Sequence, residues 1–260
     1  MVGGVVARCT RCGTNQVIPR PSAAQIAHLY GADYYEGYKQ GAGMAGGTLQ
    51  ASPALRARLQ EMERRVGKGK LLDVGCGLGH FVRYAQDQGW SAAGLETSSW
   101  AARQGAKDNG VVIHETTLSD APIAAGSLDV VHANHVVEHM LDPVAELMAA
   151  KNLLRTGGLL VLEVPQELSW PLSDRISGWL HPGLGTPQMP SATSHLFFFT
   201  AKGLAIAAKR AGFTVDRVAA TRHVRSTESR LPLGVPVKRM VYWLEERSQT
   251  APDIELWAVA

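Results

Sequence analysis

Cysteine is scarce in this 260-residue chain: three residues cannot build a disulfide framework. Long apolar runs are missing too. The longest, such as 157–164, are too short to span a bilayer, and no hydrophobic signal segment of useful length opens the sequence. No dense Lys/Arg tract accompanies the net charge of +3, so nucleic acid is not an expected partner. With 45% apolar and 19% charged residues, disorder throughout is excluded. The expectation is a cytoplasmic protein without a membrane contact, monomeric or homodimeric.

What is present begins at Leu71-Leu72-Asp73-Val74-Gly75-Cys76-Gly77-Leu78-Gly79. An apolar strand runs into three alternate glycines, which allow close backbone approach to a ligand at the start of a helix. Glu96 ends the next apolar run, where an acid can accept hydrogen bonds from both hydroxyls of a ribose. A dinucleotide fingerprint would need a third Gly or Ala at position 80, which is His80. Asp73 beside the loop would repel a diphosphate and suit an ammonium group instead. The pattern therefore points to an adenosine ligand carrying a positive charge.

Regular alternation starts at residue 70. Strands are expected at 70–74, 91–96, 111–115, 128–133 and 158–164, with helices at 79–88, 98–109 and 142–154 between them. A helix at 200–211, a strand at 213–219, a helix at 236–247 and a strand at 254–259 complete seven strands. Residues 1–67, with no such rhythm apart from a helix from about Ser52 to Val66, form an expected N-terminal appendage or lid. Residues 68–260 form the ligand-binding domain, with a substrate-side insertion at about 165–199. Tyr34, Tyr35, Trp170 and Trp179 either wall an acceptor pocket or form the core of a small lid.

With Asn134-His135-Val136-Val137-Glu138-His139, Asp142-Pro143 and Arg155-Thr156-Gly157-Gly158 added to the glycine loop, residues 68–164 resemble the class I S-adenosylmethionine-dependent methyltransferases. Within these, the chain is similar to bacterial small-molecule enzymes acting on sugars or quinone precursors. The resemblance implies an α/β, Rossmann-like, seven-stranded, mostly parallel sheet with helices on both faces and an antiparallel last strand. It implies that Gly75, Gly77 and Gly79 line the methionine portion, that Asp73 supports that loop or the amino group, and that Glu96 holds the ribose. Thr117 and Leu118 fall on the adenine side, and Asn134 meets the methionine end.

Methyl transfer to a hydroxyl requires removal of a proton, and histidine suits that task near neutral pH. His195, His135 and His139 are the candidates; the alternatives are that Glu138-His139 joins strand to helix by hydrogen bonds and that His195 packs or caps. Glu138, His139 and Asp142 can be pictured as metal ligands, but the Asp/Asn cluster of metal-dependent catechol-type relatives is missing, so no catalytic metal is expected. Cys9-Thr10-Arg11-Cys12-Gly13 offers half the ligands of a zinc ribbon without a second pair, or else is an ordinary turn. The expected activity is methylation of a small-molecule hydroxyl. An RNA or protein methyltransferase and a non-catalytic cofactor-binding regulator are the alternatives.

Overall fold

A computed structural model describes residues 5–22, 25, 53–167, 172–173, 175–176, 195–222 and 235–260. Two short strands, β1 (Val5–Arg8) and β2 (Asn15–Ile18), form an antiparallel hairpin. Then come α1 (Pro53–Val66), β3 (Lys70–Val74), α2 (His80–Asp87), β4 (Ser91–Leu95), α3 (Ser99–Asn109), β5 (Ile113–His114) and β6 (Leu128–Asn134). A 3-10 turn at Val137–His139 leads into α4 (Pro143–Leu153) and β7 (Leu154–Pro165). The chain ends with β8 (Phe197–Phe198), α5 (Ala201–Arg210), β9 (Thr214–Thr221), α6 (Val235–Arg247) and β10 (Asp253–Val259).

Seven strands order as β5-β4-β3-β6-β7-β10-β9. Pairs from β5 to β7 are parallel, and β10 runs antiparallel between β7 and β9. This is the expected architecture. Side chains alternate across it because successive residues of a strand face opposite sides. Leu72, Val131, Leu160, Leu162 and Leu256 face one core with Leu147 and Leu153 of α4 and Leu204 of α5. Leu71, Val130, Leu159, Val161 and Trp257 face the other, with Leu59 and Met62 of α1 and Phe81 and Val82 of α2. Each such fully buried large side chain contributes about 1.5–3 kcal/mol.

Local chemistry sets the helix ends. Ser98 caps α3, Asp142 caps α4 ahead of Pro143, and the Thr200 hydroxyl accepts from the Gly203 N–H to cap α5. Gly110 closes α3 in the left-handed conformation. No helix among the described residues is long and apolar enough to cross a membrane.

Three expectations are corrected. The N-terminal segment does contain strands: β1 and β2 form a second sheet in the order β1-β2-β8, too short and irregular in pattern to register as alternation. α1 is not part of an appendage, because Leu59 and Met62 bury it against the main sheet. β7 starts directly at the end of α4, with Gly157 at φ 76 and an irregular register against β6 inside the strand rather than a turn before it. Ser52 and most of residues 165–199 lie outside the described residues.

Candidate functional site

In this sheet the strand order reverses between β3 and β4 on one side and β6 on the other, which opens a crevice at their C-terminal ends. Gly75, Gly77 and Gly79 follow β3, all with positive φ (62, 55 and 75). A Cβ on Gly75 would stand 2.5 Å from Val136 Cγ2, so the turn after β6 is packed directly on the loop. Gly79 is the N-cap of α2 and supplies no side-chain oxygen to its first turn. From α3, Asn109 donates to the Leu78 carbonyl at 2.7 Å and holds the loop from the other side.

Glu96, just past β4, is buried, and its carboxylate accepts from the Gly77 N–H at 2.9 Å and the Ser98 N–H at 2.9 Å. One acid thus ties the glycine loop to the start of α3. Cys76 lies between; burial, with Asp73 and Glu96 nearby, pushes its thiol pKa well up and keeps it neutral. On the third loop, the Leu118 N–H donates to Glu146 at 3.1 Å, and Thr117 donates to Asp120 at 3.2 Å. The Leu118 N–H is therefore committed to α4, and Leu118 itself packs in the core.

Asp73 is engaged across the sheet. It accepts from His132 Nδ1 at 2.7 Å, in the parallel register that pairs the two residues on β3 and β6. Arg58 of α1 lies 3.2 Å from His132 Nε2; since arginine only donates, His132 accepts there and donates to Asp73. Arg58 also donates to Asn134 Oδ1 at 3.2 Å, to Glu255 at 3.1 Å and to Glu163. All of these but Asn134 are buried. Arg58, His132, Glu163 and Glu255 were not anticipated. The alternation of His132 with the apolar residues of β6 was the one available signal, since it places His132 level with Asp73.

The three histidines gather just beyond β6. His135 takes φ 55, unusual for a non-glycine residue, and its N–H donates to the Glu163 carbonyl at 2.9 Å. Its ring lies 3.3 Å from a Glu163 oxygen and 3.7 Å from Glu138. Burial opposes the charged ring, but the Glu138 and Glu163 carboxylates outweigh it and raise the His135 pKa to about 10. His195 meets this turn because the Leu196 N–H donates to the Glu138 carbonyl at 2.9 Å. The His195 and His139 rings sit edge to face with centroids 4.6 Å apart, and His195 Nδ1 is 2.8 Å from Glu167. Burial lowers the His195 pKa, while Glu167 raises it, for a net increase.

Glu138 is fully buried, and neither carboxylate oxygen has a hydrogen-bond partner among the described residues. Glu138, His139 and His195 each offer one atom within 4.8 Å of the others and form the one cluster among the described residues able to hold a metal ion. Asp142 is not part of it, because its carboxylate caps α4 by accepting from the Val144 and Ala145 N–H groups. Tyr34, Tyr35, Trp170 and Trp179 lie outside the described residues.

A close-approach glycine loop, a buried acid at the end of β4 and an uncapped α2 N-terminus fit S-adenosylmethionine. With the sheet order, they define a Rossmann-like S-adenosylmethionine-dependent methyltransferase. The profile of a family described as "Methyltransferase domain" matches residues 48–218, and the chain belongs to that family. A ubiquinone biosynthesis O-methyltransferase of Cereibacter sphaeroides is 37% identical over 97 residues, covering 35% of this chain and 39% of the relative. The match thus spans well under half the length of that relative.

Solved structures share the fold. An S-adenosylmethionine-dependent methyltransferase from Mesorhizobium loti superposes with a TM-score of 0.56 at 18% identity, covering 83% of this chain and all but 1% of the other (99%). A possible histamine N-methyltransferase from Thermotoga maritima gives 0.57 at 16% identity, over 92% and 99% of the two chains. At these identities the likeness concerns architecture alone.

Proposed function

We propose that this protein O-methylates a small molecule, a sugar, glycosylated natural product or quinone precursor, with His195 as general base, in the cytoplasm. The observation that carries the reading is the 2.8 Å His195–Glu167 pair held against the turn that follows β6. Bound S-adenosylmethionine supplies an electrophilic methyl group on sulfur. Gly75, Gly77 and Gly79 cradle its methionine portion, and Glu96 bridges the loop and the ribose, since a carboxylate accepts up to about four hydrogen bonds. Asp73 steadies the loop through His132, Thr117 and Leu118 wall the adenine side, and Asn134 borders the methionine end. Glu167 takes the Nδ1–H of His195, which orients Nε2 to remove the acceptor's hydroxyl proton as the methyl transfers.

His135 suits a different part. With a pKa of about 10 it is a cation at neutral pH and holds Glu138 and Glu163 in place instead of accepting a proton. The similarity to a ubiquinone biosynthesis O-methyltransferase supports a hydroxyl acceptor of small size. One observation favours a second reading: the Glu138 carboxylate, which has ion-pair neighbours but no hydrogen bond among the described residues, suits with His139 and His195 a divalent cation that would acidify the same hydroxyl.

Turnover with pooled sugar and quinone-precursor alcohols tests both. His195→Ala is expected to lower kcat about 10²–10⁴-fold. Glu167→Gln should move the acidic limb of the pH–rate profile down toward the ordinary histidine value, because the carboxylate that raises it is gone. Full turnover by His195→Ala across pH 6 to 9 overturns the base assignment. Activity lost to chelator and restored by a divalent cation would favour the metal reading.

A further inference from the structure

Methyl transfer makes no use of the outer face of α6. On it Val237, Met240, Trp243 and Leu244 are 42%, 56%, 54% and 39% exposed. Steps of three and four along the chain put them on one side of the helix. The other side is bound to the protein: Val241 is buried, and so is Glu245, which accepts from Arg222 at 2.7 Å. The Arg222 guanidinium also stacks on the Tyr242 ring at 4.4 Å, so the helix is held with its apolar stripe outward. Val112 and Met148, by contrast, stand exposed singly on separate parts of the main domain, as is ordinary for a soluble surface.

Charge gathers in the same stretch. Residues 222–247 hold six Lys/Arg against three Glu, an excess equal to the net charge of the whole chain, +3. Arg222 and Glu245 neutralise each other, while Lys238, Arg239 and Arg247 belong to α6 itself. Arg247 lies over the Trp243 ring at 4.9 Å, which sets a cation directly at the stripe.

Trp and aliphatic side chains edged by Lys and Arg complement a bilayer with anionic headgroups. The apolar groups enter the acyl boundary, and the long basic side chains lie along it with their charges at the lipid phosphates. A second copy fits less well, because a twofold contact would press this cationic face against itself. No helix among the described residues is long and apolar enough to cross a membrane, so this one would lie in the surface plane. Run length, from which no membrane contact was expected, excludes a span and leaves this mode open.

We propose that α6 is a peripheral docking helix that seats the protein on a membrane surface rich in anionic lipid. Glu245 accepts from the Ser173 N–H at 2.6 Å, and the Gln249 carbonyl accepts from the Gln166 side-chain amide at 2.9 Å. The docked helix and the turn after it thus hold the segment that carries Glu167.

Full-length protein is co-sedimented with vesicles of phosphatidylcholine alone or of an equal mixture of phosphatidylcholine and phosphatidylserine, at low and high salt. Binding to the mixed vesicles is expected, weaker at high salt, with a blue shift of Trp fluorescence that Trp243→Phe removes. Met240→Glu should weaken binding at least tenfold, and Arg239→Gln and Arg247→Gln about fivefold each. S-adenosylhomocysteine binding by each variant should stay within twofold of the parent, which certifies the fold. No binding to the mixed vesicles, equal binding to both vesicle types, or full binding by Met240→Glu would overturn the proposal. So would a stable dimer in solution that Met240→Glu dissolves, since the face would then belong to a second copy.

Discussion

Gly75→Ala is the sharpest probe of the loop, because two separate costs can be worked out for it. Gly75 holds φ 62, and an added Cβ would stand 2.5 and 2.9 Å from the two methyl carbons of Val136. Left-handed backbone costs an L-residue roughly 1–2 kcal/mol. Overpacking a filled contact costs about 1–3 kcal/mol more. The total, about 2–5 kcal/mol, should appear as a lower denaturant midpoint and, wherever the loop yields instead, as weaker binding of S-adenosylhomocysteine in calorimetry. Val136→Ala removes the two methyl carbons and so separates the terms. In that background Gly75→Ala should cost only the backbone part, about 1–2 kcal/mol. Equal costs in both backgrounds would refute the packing of the turn on the loop, and unchanged stability and affinity would refute the strained, close-approach reading altogether.

Arg58→Met should destabilise the protein by about 3–5 kcal/mol in denaturant unfolding, since it deprives the buried carboxylates of Glu163 and Glu255 of a shared cation; a loss below about 1 kcal/mol would show that the network carries little. His135 has a folded pKa of about 10 against an ordinary value near 6.5, so its contribution is fully present below the unfolded value and is lost as pH rises toward 10. Thermal stability should therefore fall between pH 7 and 10, and His135→Asn, which tolerates the left-handed backbone, should flatten that fall. An unchanged slope in the variant would contradict the raised value.

The main sheet was legible because its signals are local. Leu71-Leu72 and Leu159 to Leu162 are apolar runs, Ser98 and Asp142-Pro143 mark helix starts, and Gly89 and Gly110 follow helix ends, all readable within a few residues. The glycine loop and Glu96 were legible for the same reason. The hairpin was not: four residues of β1 and four of β2 make no period, and they gain meaning only when β8, far along the chain, pairs with β2. Arg58 reads as one more charge on a polar helix until α1 docks and places it among His132, Glu163 and Glu255. Glu167 lies past the end of β7, and only the return of the chain at His195 makes it a partner. Side chains that meet across long sequence separations leave no mark on local pattern. The histidines could therefore be nominated from sequence, while their contacts with Glu138, Glu163 and Glu167 could not.

Calorimetric titration of pure, folded protein with S-adenosylmethionine, S-adenosylhomocysteine and NADH tests the central claim most directly. Saturable binding of the two sulfur compounds at one site per chain, weakened at least tenfold by Glu96→Ala, with no heat from NADH, is the predicted result. Binding of NADH with silence from both sulfur compounds would contradict it.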